Sequence, residues 1–233
     1  MATHIVNTPQ KPVPADQTFC DLPPAIVETL EQEAITTTYP TGAVLFAEGQ
    51  AARGVFIVRR GRVKLSICGS DGRTLILRMV EPGCPLGVAS VVSGRPYEAT
   101  AETQEPSEIS FFRHSDLLRL MRLHGEVALW VTQHISQDYA ATCREIRDLI
   151  LSDSASEKLA RLLVGWLDQN ALAGKPSQMT LALTHEEIGQ MIGTSRETVS
   201  RLFAGFKKQR LIQQNGSTLV IPNRVALESL ITA

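Results

Sequence analysis

The chain has 233 residues, 43% hydrophobic and 20% charged, with 23 Lys and Arg against 24 Asp and Glu. That composition suits one large or two ordinary globular domains, and a net charge of -1 does not advertise a polyanionic partner. Four scattered cysteines, Cys20, Cys68, Cys84 and Cys143, form no C-x-x-C pair, which argues against zinc or iron–sulfur ligation and for reduced thiols.

The opening stretch, MATHIVNTPQKPVPADQ, holds three prolines and no apolar run. It reads as neither a signal peptide nor a membrane span, and residues 1–18 are expected to be a mobile tail. No later segment reaches the roughly 18 uninterrupted apolar residues that a spanning helix needs. A short helix, LPPAIVETLEQEA, follows, with proline near its first turn.

From Tyr39 to Phe112 short β-rich runs alternate with turn signals. Val55, Ile57, Val63, Leu65 and Ile67 recur at period two, and Asp71-Gly72 between two such runs predicts a hairpin. Recurrent glycines suit a compact antiparallel barrel or jelly roll with tight turns. We assign residues 19–125 to this β-roll with its flanking helices.

The next zone is helical. Val131, Ile135, Tyr139, Thr142, Ile146 and Leu149 follow steps of 4, 4, 3, 4 and 3, a heptad-like seam. The spacing predicts a dimerisation helix and hinge over residues 126–152, although the same face could pack on the chain's own barrel.

Residues 153–233 form the last zone. The segment SASEKLARLLVGWLDQ places Leu159, Leu162, Leu163 and Leu167 on one helical face. QMTLAL reads as a short strand. In LTHEEIGQMIGTSRETVSRLF, Thr184 and Glu187 have capping-box spacing, and Ile188, Met191 and Ile192 form a buried side. Gly193 allows a sharp turn, and Thr194 or Ser195 caps a second helix. There Val199, Leu202, Phe203 and Phe206 face inward, leaving Arg196, Glu197, Ser200 and Arg201 outside. Asn215-Gly216 between apolar runs predicts a second hairpin.

Two helices across a tight turn, followed by a hairpin, predict a winged helix-turn-helix that reads double-stranded DNA. Arginine can donate two hydrogen bonds to guanine O6 and N7, and glutamate can accept from cytosine N4. Arg196, Glu197, Ser200 and Arg201 are therefore the candidate base readers. Thr184, His185, Thr194, Ser195, Lys207 and Lys208 are candidates for phosphate contacts. For Glu197 and Arg201 alone, an ordinary surface ion pair explains the spacing as well. Local charge agrees mildly: after residue 151 there are 9 Lys and Arg against 7 Asp and Glu, and before it 14 against 17.

The order barrel, long helix, winged helix-turn-helix, with EEIGQMIGTSRETVSRLF at the reading helix, resembles the Crp/Fnr family of bacterial transcription regulators. The resemblance implies an α+β fold: an antiparallel β-roll, a long dimerisation helix and a winged helix-turn-helix. It implies a cytoplasmic homodimer on an inverted repeat with GTGA or TTGA half-sites, and RNA polymerase as a partner if the protein activates. Arg196 is similar to the cAMP receptor branch, and Ser200-Arg201 after Glu197 to the Fnr branch.

Members of this family that bind cAMP carry Gly-Glu-Leu, then Arg-Ser/Thr-Ala about ten residues on. Here the matching segment is LGVASVVSGRPYEATAE. Gly87 and Ala99 are kept, Val88 replaces the ribose-binding glutamate, and Tyr97 and Glu98 replace Arg and Ser/Thr. Arg95 is a nearby substitute cation. A carboxylate at Glu98 would repel a phosphate, which argues against cAMP in the usual mode. From the long helix Thr142 and Cys143 match the adenine-contacting positions, with Tyr139 beside them. The Fnr-type cluster of cysteines is missing. Haem, through thiolate or imidazole, and a cyclic dinucleotide stay open as effectors, as does ligand-free constitutive action. A cupin-like metalloenzyme is the alternative from another class. Its expected His/carboxylate cluster is not evident, and no metal site or catalytic residue is assigned.

Overall fold

The computed structural model describes residues 22–80, 82–150, 154–172, 178–181 and 183–231. The tail expected over residues 1–18 lies outside the described residues, as do residues 151 and 152 at the end of the expected dimerisation helix and hinge. The chain divides into two units, one up to residue 142 and one from 143 onward, and the division falls inside a long helix.

The first unit opens with α1 (Pro24–Glu33), whose proline sits in the first turn where no backbone donor is needed. Eight strands follow: β1 (Ile35–Tyr39), β2 (Val44–Phe46), β3 (Gly54–Arg60), β4 (Val63–Cys68), β5 (Thr74–Val80), β6 (Pro85–Leu86), β7 (Thr100–Thr103) and β8 (Ser107–Arg113). A short helix, α2 (Val88–Ser93), is set between β6 and β7. The strands form two antiparallel four-stranded sheets, ordered β1-β8-β3-β6 and β2-β7-β4-β5. The turn joining β4 to β5 contains Asp71 and Gly72, as the sequence predicts, with the Arg73 amide donating to Asp71 Oδ1 at 3.1 Å. Two helices complete the unit, α3 (His114–Leu123) and the start of α4 (Gly125–Ile150).

The β-roll has two hydrophobic layers. One lies between the sheets and contains Phe46, Phe56, Val58, Val63, Leu86, Tyr97 and Ile109. The other lies between the outer face of the first sheet and the helices, joining Val55, Ile57 and Phe112 to Leu30, Val91, Leu117, Leu120, Val127, Trp130 and Val131. Strand β3 serves both layers, so its period-two apolar set is only half of its buried surface. At about 1.5–3 kcal/mol per buried large side chain, either layer is a major part of the folding free energy. Arg59 crosses the outer layer. It pairs with Glu31 of α1, and its Nε donates to Ser110 Oγ at 3.0 Å, so its buried charge is compensated.

The second unit is built from α5 (Ala155–Leu172), β9 (Gln178–Thr180), α6 (His185–Ile192), α7 (Arg196–Lys208), β10 (Gln213–Asn215), β11 (Thr218–Val220) and α8 (Arg224–Glu228). Its single core collects Leu159, Leu163 and Leu167 from α5 with Ile188, Ile192, Val199, Phe203, Phe206 and Leu219. Leu162, Met191 and Leu202 pack against its rim. The three strands pair antiparallel in the order β10-β11-β9. The predicted hairpin forms, with one adjustment. Asn215 pairs with Thr218, so the two-residue loop is Gly216-Ser217, with φ 58° at Gly216.

The predicted dimer seam needs a correction. Val131 is only 1% exposed and belongs to the chain's own outer layer, and Ile135 packs against that layer. The Trp130 and His134 rings meet at a tilt, and Asp138 pairs with Arg78 of β5 at 2.7 Å. This face of α4 is covered because the β-roll offers apolar surface beside it. The apolar residues left outside are Leu129, Tyr139 and Ile146. Thr142 is also exposed, and the side chain of Leu149 lies outside the described residues.

Candidate nucleic-acid interface

The interface is built on local capping. Thr184 Oγ1 accepts from the Glu187 amide at 3.2 Å, while Glu187 Oε2 accepts from the Thr184 amide at 2.7 Å. This reciprocal pair starts α6 and stabilises it by about 0.5–2 kcal/mol. Gly193 ends the helix with φ 67°, in the left-handed region that side chains with a Cβ avoid. Ser195, rather than Thr194, caps α7: its Oγ accepts from the Thr198 amide at 3.2 Å. Thr194 instead passes its carbonyl close over α6, where a Cβ on Gly189 would stand 2.7 Å from the oxygen. Gly189 is thus required for the two helices to approach. Sequence reasoning missed it, although a glycine inside an apolar-periodic helix is a signal for close backbone contact.

With Val199, Phe203 and Phe206 buried, α7 turns Arg196, Glu197, Ser200 and Arg201 to solvent. The edge is partly organised already. Ser200 Oγ lies 2.9 Å from His185 Nδ1, and the His185 ring packs at a tilt against Phe203 with a centroid distance of 4.7 Å. Arg201 donates to Thr198 Oγ1 at 3.2 Å, and no ion pair joins it to Glu197 among the described residues. Glu197 is held below the usual carboxylate range by its own backbone amide and by Ser195, with Arg196 and Arg201 adding to the effect. His185 is held below its ordinary value by burial, then by the charges of Lys207 and Arg196. Lys207 and Lys208 are exposed in the last turn, where they also oppose the negative end of the helix dipole. Arg210 follows with φ 58°, a left-handed conformation unusual for a residue with a side chain.

The expected effector positions divide between buried and exposed residues. Val88 is 4% exposed and lies in the outer layer of the β-roll. Tyr97 is 3% exposed and fills the layer between the sheets. Its hydroxyl donates to the Gly54 carbonyl at 2.6 Å and accepts from the Gly54 amide at 3.2 Å, and its ring stacks on Phe46 at 4.0 Å. Burial pushes the phenol above its ordinary pKa, so it stays neutral. Gly87 admits the ring, since a Cβ there would stand 2.6 Å from it. The reading of Val88 and Tyr97 as pocket-lining residues is therefore corrected: both are apolar enough to be drawn into the core. Ala99 is buried, whereas Arg95, Glu98, Tyr139, Thr142 and Cys143 are exposed.

A cyclic-nucleotide-type β-roll joined to a capped helix-turn-helix with a wing defines a sensor-linked DNA-binding regulator. Comparison with known proteins agrees for both parts. The family model for the cyclic nucleotide-binding domain matches residues 36–124, and that for the Crp-like helix-turn-helix domain matches residues 157–230. The chain belongs to the Crp/Fnr family of transcription regulators. It is 28% identical to the cAMP-activated global transcriptional regulator CRP of Haemophilus influenzae over 184 residues, 78% of this chain and 82% of that one. The structure of FixK2 from Bradyrhizobium japonicum matches with a TM-score of 0.74 at 25% identity, covering 86% of this chain and 98% of that one. The c-di-GMP responsive global regulator CLP from Xanthomonas campestris shares the fold, with a TM-score of 0.71 at 20% identity over 85% of this chain and 99% of that one. The family is one of regulators, not enzymes. Among the described residues no helix is long and apolar enough to cross a membrane.

Proposed function

We propose that the protein is a cytoplasmic homodimer that binds an inverted-repeat operator and recruits RNA polymerase where it activates. The observation that carries this reading is the outward edge of α7. Arg196, Glu197, Ser200 and Arg201 stand exposed on a helix whose opposite side is core. Two such edges related by a two-fold axis would enter major grooves about 34 Å apart. Thr184, His185, Thr194, Ser195, Lys207 and Lys208 border the edge in sequence and would hold phosphates. The dimer seam would follow the exposed side of α4, through Leu129, Tyr139 and Ile146, rather than Val131. Residues 19–125 would then be the sensor, 126–152 the dimer helix and hinge, and 153–233 the reader.

The effector is not cAMP in the usual mode. The H. influenzae relative is cAMP-activated by name. In this chain Val88 and Tyr97 are core residues, and Glu98 presents a like charge to a phosphate. The cyclic dinucleotide in the name of CLP, and haem, are the effector classes to test. Constitutive action is the second reading, favoured by a phenol that occupies the layer between the sheets.

Gel-shift titration on an inverted repeat of GTGA or TTGA half-sites tests the assignment. Arg196→Ala and Arg201→Ala should each cost about 1–3 kcal/mol of operator binding and relax preference at one base pair. Parent-like binding by both variants, or a monomer on the operator in sedimentation, would overturn it. Added cAMP should leave the affinity unchanged.

A further inference from the structure

The end of β8, the residue before β3 and one face of α3 line a solvent-open depression of about 690 Å³. Its lining includes Arg53, Phe111, Arg113, His114, Leu118 and Arg122. The two sides are joined where the His114 amide donates to the Arg53 carbonyl at 2.8 Å. Phe111 lies so close over Gly54 that a Cβ there would stand 2.5 Å from the ring. An apolar base is thus rimmed by three guanidinium groups and an imidazole.

Charge pairing sets these arginines apart. Arg119, on the same helix, pairs with Glu33 at 2.7 Å, and Arg78 with Asp138 at the same distance. Among the described residues Arg53, Arg113 and Arg122 form no ion pair. Asp116, the nearby carboxylate on α3, does not line the cavity and accepts from Ser115 Oγ. Three solvent-exposed arginines without an ion pair among the described residues share one lining, which favours an anion there. Guanidinium forks match phosphate and carboxylate oxygens in pairs. The volume falls in the range of small-ligand sites, about 300–1,000 Å³, and the Phe111 and Leu118 base suits a flat apolar body.

We propose that this cavity binds a small organic anion, a phosphate or carboxylate head on a flat apolar body. The site is built from the β-roll unit alone, and its Phe111 base packs against the layer between the sheets that holds Tyr97.

Calorimetric titration of the full-length protein with 1-naphthyl phosphate tests it, with inorganic phosphate and 1-naphthol as half-ligands. One naphthyl phosphate should bind per chain, at least tenfold tighter than either half. An Arg53→Gln/Arg122→Gln double variant should lose at least tenfold in that affinity while keeping parent-like operator binding. On the unmutated protein, naphthyl phosphate should protect Arg53, Arg113 and Arg122 from phenylglyoxal, read by peptide mass spectrometry. Unchanged affinity in the variant, no binding at millimolar concentration, or protection confined to other arginines overturns the proposal. Displacement by a hexaglutamate peptide at lower concentration than naphthyl phosphate also overturns it, in favour of an acidic protein partner.

Discussion

From residue 143 onward the polar edge of α7 stands outside the core, whereas in the β-roll two positions of the cassette segment, Val88 and Tyr97, lie inside it. Arg196, Glu197, Ser200 and Arg201 are exposed on α7, while Val88 and Tyr97 are 4% and 3% exposed. A reading surface must stay hydrated and adaptable until bases replace the water. A β-roll with Val88 and Tyr97 at two cassette positions gains packing there. In this chain the four outward residues of α7 stay in solvent while two positions of the cassette segment are core.

The largest expected effect probes the reader's support. Phe203 is 1% exposed, belongs to the second core, and packs against the His185 ring. Phe203→Ala should destabilise that unit by about 3–5 kcal/mol in denaturant titration and abolish operator binding. A loss under about 1 kcal/mol would show that the reading edge does not depend on the core behind it.

The sensor side is probed by Tyr97→Phe. Removing the hydroxyl leaves the Gly54 amide and carbonyl without that partner, so the β-roll should lose about 1–3 kcal/mol of stability. Operator affinity should stay at the parent value. A gain in stability would mean that the phenol is held for binding rather than for packing.

The smallest effect concerns pH. His185 titrates below its ordinary value in the folded chain, so the unfolded chain binds the proton more readily. Stability linked to this residue is therefore full above the unfolded value near 6.5 and falls as pH drops toward the folded value. His185→Gln should flatten that acid-side decline in thermal melts between about pH 7 and 5. An identical pH profile in the variant would remove the assigned burial of the imidazole.

The reader was largely legible in the sequence because its determinants are short-range. Thr184 with Glu187, Gly193, and the inward spacing of Val199, Phe203 and Phe206 lie within a few turns of one another. Gly189 was missed because its constraint comes from a carbonyl five residues on, across the turn. In the β-roll, period-two patterning located the strands, but it could not show that Phe56 and Val58 would be covered as fully as Val55 and Ile57. That needs the second sheet, which covers Phe56 and Val58 only in the folded chain, while the helices cover Val55 and Ile57. The seam register failed for the same reason: Val131 has two possible apolar neighbours, and only the fold selects the β-roll.

Strand β3 has six consecutive buried residues, Gly54 to Arg59, and is hydrogen-bonded to β8 along most of its length. With apolar layers above and below, it has no face from which solvent can begin to invade. The helices and the inter-sheet layer are therefore yoked through a single ribbon, and neither melts without loosening the other. Amide exchange along β3 must wait for cooperative opening of the whole roll, which makes the strand a natural gauge of that unit's global stability.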